Sequence, residues 1–389
     1  MDDGGRSDRA TRRDYLAGTA ALAAGLSAGC VSEFGGGDAD AAEGTPQPTG
    51  SPTDDATRTV EMAPVGEVTL SAVPTDVANY FPGYADMAVA LGHGDAINST
   101  GVLDRYHTDH YGELDGVSVD KSSMTEFVGD SGIDKEVFYE LDSDLHLIDP
   151  QWLVNNGFFG LDEADVAELE ENVAPFLGNT VFRRTDPWHD YRYYTLYETF
   201  ATVARVFDEP DRYEAIAEFH DSTLARIQTA LPPAERRPNA LLCFGGTDEP
   251  EAFLPYRLTD KGTNKKQFRD LGISDALTGT GIDGLSTDDR GRIDYETMLE
   301  VDPDSILIRG HEDKTREAFR ETVLGFMEDH ETASDLTAVQ EGTVFRGGPI
   351  YVGPLEHLFL VERYARLYFP DTYDGELFDR DELAAIVTG

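Results

Sequence analysis

The chain has 389 residues, with 75 acidic against 31 basic side chains and a formal net charge of −44. That length gives room for two or three domains with ample core. An acidic surface of this extent repels nucleic acid and anionic membrane, which makes both poor partners. Aromatic and aliphatic content is that of a globular protein, so the acidity does not signal disorder throughout. It suits solubility in concentrated salt, where charges are screened within ~3 Å at 1 M, and a halophilic source is expected.

In chain order, Thr11-Arg12-Arg13-Asp14-Tyr15-Leu16 precedes a small-residue apolar stretch (17–28) and Gly29-Cys30. A charged start, a short apolar segment and small residues before a cut are the parts of an export signal. The paired arginines resemble a twin-arginine signal, with Tyr15 where Phe is usual. Ser27-Ala28-Gly29-Cys30 resembles a lipobox, with Ser27 where Leu is commoner, and implies lipidation at Cys30. The apolar stretch is too short to span ~30 Å of hydrocarbon. Residues 1–30 are therefore read as a lipoprotein signal, placing the chain on the outer face of the cytoplasmic membrane and on the membrane only through its anchor. Residues 31–58 are small and polar, cannot bury enough surface to order themselves, and read as a tether reaching on the order of 30 Å.

The folded part divides into an N-terminal lobe (59–195), a connecting helical segment (196–233) and a C-terminal lobe (234–389). In the first lobe, residues 65–70 read as a strand, 71–82 as a loop, 84–91 and 133–141 as helices, and 145–149 as a buried strand. Alternation of strand and helix predicts a mostly parallel, helix-covered sheet. Residues 211–231 carry apolar side chains at three- to five-residue steps between prolines, a helix of roughly 30 Å that would join the lobes as a strut. The second lobe follows with a strand at 240–244, a loop at 245–262, and a helix running to Leu271-Gly272. A helix at 295–301, a strand at 305–309, a late strand and loop at 344–351, and amphipathic helices at 319–327 and 357–368 complete it. Cys243, in the 240–244 run, is expected as a buried free thiol.

The lobes repeat one another. Ile133-Asp134-Lys135-Glu136 opens a run that returns 160 residues later (133 to 293) as Ile293-Asp294-Tyr295-Glu296. Glu140 and Glu300, Asp142 and Asp302, Asp144 and Asp304, and the Leu-Ile pairs 147–148 and 307–308 fall at matched positions. Leu91-Gly92-His93-Gly94-Asp95-Ala96-Ile97 likewise recurs as Leu271-Gly272-Ile273-Ser274-Asp275-Ala276-Leu277. Landmarks repeated in order at this spacing indicate duplicated domains rather than a stacked array.

With Asp302-Pro303-Asp304-Ser305-Ile306-Leu307 and the 336–345 run Leu-Thr-Ala-Val-Gln-Glu-Gly-Thr-Val-Phe, these motifs resemble the substrate-binding lipoproteins of ABC importers. The class is the two-lobed, single-long-helix one, which includes binders of iron-siderophores, vitamin B12 and haem. The resemblance covers residues 67–369 and departs at Ser143, where Pro is usual. It implies an α/β fold of two Rossmann-like lobes with mostly parallel sheets joined by one long α-helix. It also implies a monomer that hands a small metal chelate to a permease dimer and its ATPase, without chemistry. The chain would need no cofactor of its own, since iron travels inside the ligand. In this class one exposed Glu per lobe docks into the permease; by position these are Glu136 and Glu296, expected on outer surfaces. A helix-start role for each, through the macrodipole, is the plainer alternative.

Ligands of open parallel sheets bind beyond the strands' carboxyl ends. Asn79, Tyr80, Arg105, Tyr106, Trp152, Arg184, Trp188 and Tyr191 are the candidates in the first lobe, and Phe244, Tyr256, Arg257, Arg309 and Tyr351 in the second. Arginine forks match carboxylate, hydroxamate or catecholate oxygens, and aromatic faces cover flat ligands. A ferric siderophore fits this set first; a corrinoid or haem is the alternative. His107, Asp109 and His110 could ligate a bare ion, but such a loop is more often simply polar, and no metal site is assigned. Phosphate loops, nucleophile elbows and HExxH are missing from the sequence. A secreted two-lobed enzyme is the remaining rival from another class.

Overall fold

The computed structural model describes residues 57–287 and 290–389. The export signal, Cys30 and nearly all of the tether lie outside them. Among the described residues no helix is long and apolar enough to cross a membrane.

β1 (Arg58–Met62) and β2 (Gly66–Leu70) form an antiparallel hairpin. Val60, Met62, Val68 and Leu70 point inward while Glu61 and Thr69 face water, the period-two pattern of a half-covered ribbon. The first lobe's sheet is separate: β3 (Val77–Asn79), β4 (Ile97–Thr100), β5 (Thr125–Glu126) and β8 (Leu145–Leu147), in the order β5-β4-β3-β8 and wholly parallel. A small hairpin, β6 (Val128–Gly129) with β7 (Gly132–Ile133), lies between β5 and β8 in the chain. The helices of this half are α1 (Pro82–Ala90), α2 (Glu136–Leu141), α3 (Pro150–Asn155), α4 (Glu163–Asn172) and α5 (Leu196–Phe207).

The central strand β3 lies in the stretch expected to be a loop. Three residues are too few to show a period, and Thr75-Asp76 and the polar Asn79 mask them. What makes them a strand is tertiary: β4 and β8 flank β3, and all three residues are buried. Ile133 belongs to β7 rather than to the helix that follows it.

α6 (Pro210–Ala230) is the long helix, 21 residues or about 30 Å at 1.5 Å each. Its Ile216 and Phe219 sit in the first lobe's core, its Leu224 and Ile227 in the second's. The helix Pro354–Tyr368 does the same, with Leu355 and Leu358 in one core and Val361 and Tyr364 in the other. These two helices join the lobes.

The second sheet contains β9 (Asn239–Phe244), β10 (Leu254–Tyr256), β11 (Ser274–Asp275), β12 (Ser305–Arg309) and β13 (Val344–Arg346). Its order is β10-β9-β12-β13; β9, β12 and β13 are parallel, β10 is antiparallel, and β11 pairs with the start of β9. β10 lies within the predicted 245–262 loop. Helices α7 (Lys266–Asp270) and α8 (Tyr295–Val301) cover this sheet. The predicted 319–327 helix is interrupted, with a π-helical turn over Arg320–Leu324 between α-helical pieces. Cys243 is a free, buried thiol in β9.

The sequence repeat is a repeat of backbone devices. Gly92 and Gly272 end α1 and α7 with positive φ (+77° and +65°), a conformation glycine adopts without a Cβ clash. Asp142 and Asp302 end α2 and α8 in the same left-handed region (47° and 44°). Two residues on, the Asp144 carboxylate accepts from the Thr75 and Asp76 amides at 2.8 and 3.2 Å, just before β3. Asp304 accepts from the Asn239 amide, at the start of β9, at 2.8 Å. Each second aspartate thus ties the beginning of the neighbouring central strand.

Candidate functional site

Both sheets direct the carboxyl ends of their parallel strands at a common cleft. Tyr80 follows β3, Arg105 follows β4, Trp152 lies beyond β8, Phe244 ends β9, Gly310 follows β12, and Tyr351 lies beyond β13. Two adjoining cavities fill the cleft and share Arg105, Phe244 and Ile350.

The inner cavity, about 220 Å³, is aromatic. Tyr80 is its hub, with ring centroids 5.8 Å from Trp152, 5.5 Å from Phe159 and 6.3 Å from Tyr351. Tyr351, from the second lobe's last strand–loop unit, also packs 5.0 Å from Phe182, so first-lobe and second-lobe chain meet ring to ring. Burial and the nearby Tyr351 hydroxyl push the Tyr80 phenol well up, keeping it neutral. Arg105 Nη1 reaches the Tyr351 hydroxyl at 3.5 Å, and Arg290 stands at the rim.

The outer cavity, about 650 Å³, is more acidic, lined by Asp104, Asp109, Glu312 and Asp313 with Arg105 and Lys121. Burial alone would raise the Glu312 carboxyl, but its paired Arg363 at 2.6 Å and the nearby Arg346 hold it down at about 2. His107 also lines this cavity, and burial lowers its pKa, leaving a neutral imidazole.

The other predicted residues have different settings. Asn79 and Arg309 are fully buried. The Arg309 guanidinium donates to the Asn264 carbonyl and lies 4.7 Å from the Tyr256 ring centroid, supporting a cleft residue from behind. Arg257 is held by the Asp275 carboxylate at 2.9 Å. Tyr106 lines the outer cavity but is buried, its hydroxyl 3.3 Å from that of Tyr111. Arg184 donates to the Tyr191 carbonyl at 2.6 Å, and Tyr191 donates its hydroxyl to Asp149 at 2.6 Å. Burial raises Asp149 to about 6 despite that bond and those from Thr180. The geometry therefore brings Tyr80, Arg105, Tyr106, Trp152, Phe244, Tyr256 and Tyr351 to the cleft. It leaves Asn79, Arg184, Tyr191, Arg257 and Arg309 behind its walls. Of the histidine loop, His110 turns inward to Asp86 at 3.2 Å. Among the described residues no group of three or more His, Cys, Asp or Glu is arranged to hold a metal ion.

Trp188 has a bridging role. Its indole donates to Thr287 at 3.0 Å, Thr185 donates to the Leu285 carbonyl at 2.7 Å, and the Thr287 amide donates to Asp186 at 2.7 Å. Asp186 simultaneously holds Arg183 through two bonds of 2.7 and 2.8 Å. Arg183 lines the inner cavity, and its guanidinium carbon lies 5.2 Å from the Trp152 ring centroid. These contacts latch the segment before α5 to a second-lobe loop along one side of the cleft.

Residues 77–351 match the periplasmic binding protein family. The chain belongs to that family. Its members are extracytoplasmic substrate-binding proteins of ABC transport, and they do not transform what they bind. Solved structures agree in fold. The petrobactin-binding protein YclQ from Bacillus subtilis is 13% identical, with TM-score 0.53 over 86% of this chain and 100% of that one. The iron uptake ABC transporter substrate-binding protein PiuA from Streptococcus pneumoniae is 15% identical, with TM-score 0.53 over 82% and 98%. The haem binding protein HmuT is 13% identical, with TM-score 0.55 over 83% and 93%. No curated protein matches the chain.

In this periplasmic binding protein the duplicated glutamates are exposed, and neither carboxylate pairs with a described residue. Helix starts are served by their neighbours: Asp134 accepts from the Glu136 amide at 3.1 Å, and Asp294 caps α8 through the Thr297 amide at 2.9 Å. Ile133 donates its amide to the carbonyl of Phe159, an inner-cavity residue; Ile293 pairs with Phe253, beside the cavity residue Leu254. Both helices thus begin beside segments that line the cleft, with the glutamates exposed at their starts. Phe158, Phe159, Phe182, Ile350 and Arg290 also line the inner cavity and were not singled out from sequence. Phe158, a large apolar side chain left 53% exposed, carries the signal that a structure reveals.

Proposed function

We propose that this periplasmic binding protein captures a ferric siderophore between its lobes and delivers it to an ABC permease dimer. The carrying observation is the cleft at the strand ends, where Arg105 and the rings of Tyr80, Trp152, Phe244, Tyr256 and Tyr351 come from both lobes. Arg105 and Arg290 supply guanidinium forks for the chelate's oxygens, and the aromatic hub covers its flat, apolar face. The size supports a chelate rather than a bare ion: the two cavities adjoin and exceed what one metal needs. Ligand contact with both lobes shifts the population toward a closed state, and α6 restricts that motion. Glu136 and Glu296, one per lobe and unpaired, are the permease contacts. Export through the twin-arginine signal and attachment at Cys30 would hold the protein at the membrane's outer face.

A haem reading has one observation in its favour: His107 offers a neutral ring nitrogen to the outer cavity. Native mass spectrometry of the protein incubated with ferrioxamine, ferric enterobactin, haemin and cobalamin separates the readings. A retained 1:1 ferric siderophore is expected. Retention of haemin alone, lost in His107→Ala, would replace the siderophore with haem.

A further inference from the structure

Away from the cleft, a cavity of about 580 Å³ lies between the edge strand β13, the helix Pro354–Tyr368 and the turns at 316–324. Five arginines line it, in a chain whose overall charge is −44. Three of them are committed in different degrees. Arg363 forms two bonds with Glu312, Arg346 donates to the Lys314 carbonyl, and Arg366 stands 3.7 Å from Glu362 with half its side chain exposed. Arg316 and Arg320, exposed and four residues apart on one face, pair with no described residue. The lining acids do not answer them: Arg380 already takes Glu113 at 3.4 Å and Glu362 at 2.8 Å, and only Asp374 is left at the edge. Between the guanidiniums the floor is apolar, made by Phe319, Val344, Phe345, Phe359 and Leu367.

A solvated face in so acidic a chain would surround each arginine with carboxylates. Here unanswered guanidiniums border a concave apolar floor, and the volume falls within the ~300–1,000 Å³ of pockets that hold small ligands. We propose that this cavity is a second binding site, for a small amphiphilic anion. A carboxylate or phosphate-monoester head would sit among Arg316, Arg320 and Arg366, whose forks match such oxygens. An alkyl or aromatic body would lie on Phe345, Phe359 and Leu367. The site does not depend on what the cleft carries.

Isothermal titration of the purified protein with decyl phosphate, kept below its micelle concentration, tests this. One-to-one binding is expected. It should weaken at least about ten-fold, or 1.4 kcal/mol, in Arg316→Ala/Arg320→Ala at unchanged melting temperature. Binding should persist in Arg105→Ala, and inorganic phosphate should bind far more weakly than decyl phosphate. Equal affinity in the double variant, or loss in Arg105→Ala, would overturn the assignment. So would inorganic phosphate matching decyl phosphate, which removes the apolar floor from the site. Binding only to phosphatidylglycerol vesicles, with none to monomeric decyl phosphate, would make it a membrane contact instead and equally contradict the proposal.

Discussion

The two lobes share their frame and differ at their facing ends. Asp144 and Asp304 tie the starts of the central strands, Asp142 and Asp302 end the preceding helices in one conformation, and Gly92 and Gly272 end α1 and α7 alike. At the cleft the likeness stops. The first lobe presents a packed cluster of Tyr80, Trp152, Phe159 and Phe182, whereas the second presents the half-buried Phe244 and the buried Tyr256, the latter backed by Arg309. Duplication preserved what fixes backbone and register. The loops after the strands were free to diverge, because beyond their first residues they leave the sheet and carry fewer backbone constraints.

The largest expected effect lies where the lobes meet. Asp186→Ala would leave the buried Arg183 unpaired and release the Thr287 amide, costing about 3–5 kcal/mol in denaturant unfolding. A loss below 1 kcal/mol would mean the latch does not join the lobes energetically.

The junction of the linking helices comes next. His220 on α6 and His357 on the helix Pro354–Tyr368 meet at 2.8 Å, fully buried, with Asp270 at 3.1 Å from His357 and Lys266 at 2.7 Å from Asp270. Burial, aided by Lys266, lowers His357 to about 4. A folded pKa below the unfolded value of ~6.5 gives stability that is present above pH 6.5 and lost as pH falls toward 4, on the order of 3 kcal/mol. Asp149, raised to about 6, works in the opposite sense over that window, so the comparison is between wild type and His357→Leu. The variant should lose less stability on acidification; an identical pH profile would show that the lobe junction does not sense this proton.

Equality of the frames predicts smaller, matched effects. Asp144→Ala and Asp304→Ala should each cost about 1–2 kcal/mol, agreeing within about half a unit; a large asymmetry would break the equivalence of the lobes. Smallest in stability, and largest in transport, are Glu136→Lys and Glu296→Lys. As exposed, unpaired sites they should change stability by less than about 0.5 kcal/mol and leave ligand affinity alone. Combined, they should abolish uptake through the permease; normal uptake by the double variant would remove the docking role.

Much of this architecture was legible because apolar runs and paired prolines mark their elements locally. The run Ser-Ile-Leu-Ile-Arg has the bounds of β12, and α6 differs by one residue from its expected span. The strand β3 escaped because its three residues become a strand only between β4 and β8. In the site, aromatic residues after strands were readable from the carboxyl-end rule. Arg309 misled for a physical reason: a guanidinium suggests solvent or ligand, yet here a carbonyl and a tyrosine face hold it inside. The latch was not legible at all, since Asp186 and Thr287 are 101 positions apart and meet only once the lobes are folded.

The chain's two tryptophans are both at or beside the cleft, Trp152 in the inner cavity wall and Trp188 with its ring centroid 6.3 Å away. Tryptophan fluorescence during titration with ferric siderophores therefore reads the central claim directly. Saturable quenching at one equivalent, weakened in Arg105→Ala while the fold is retained, is the predicted result. No quenching by any ferric siderophore, at concentrations where haemin or cobalamin quenches fully, would contradict it.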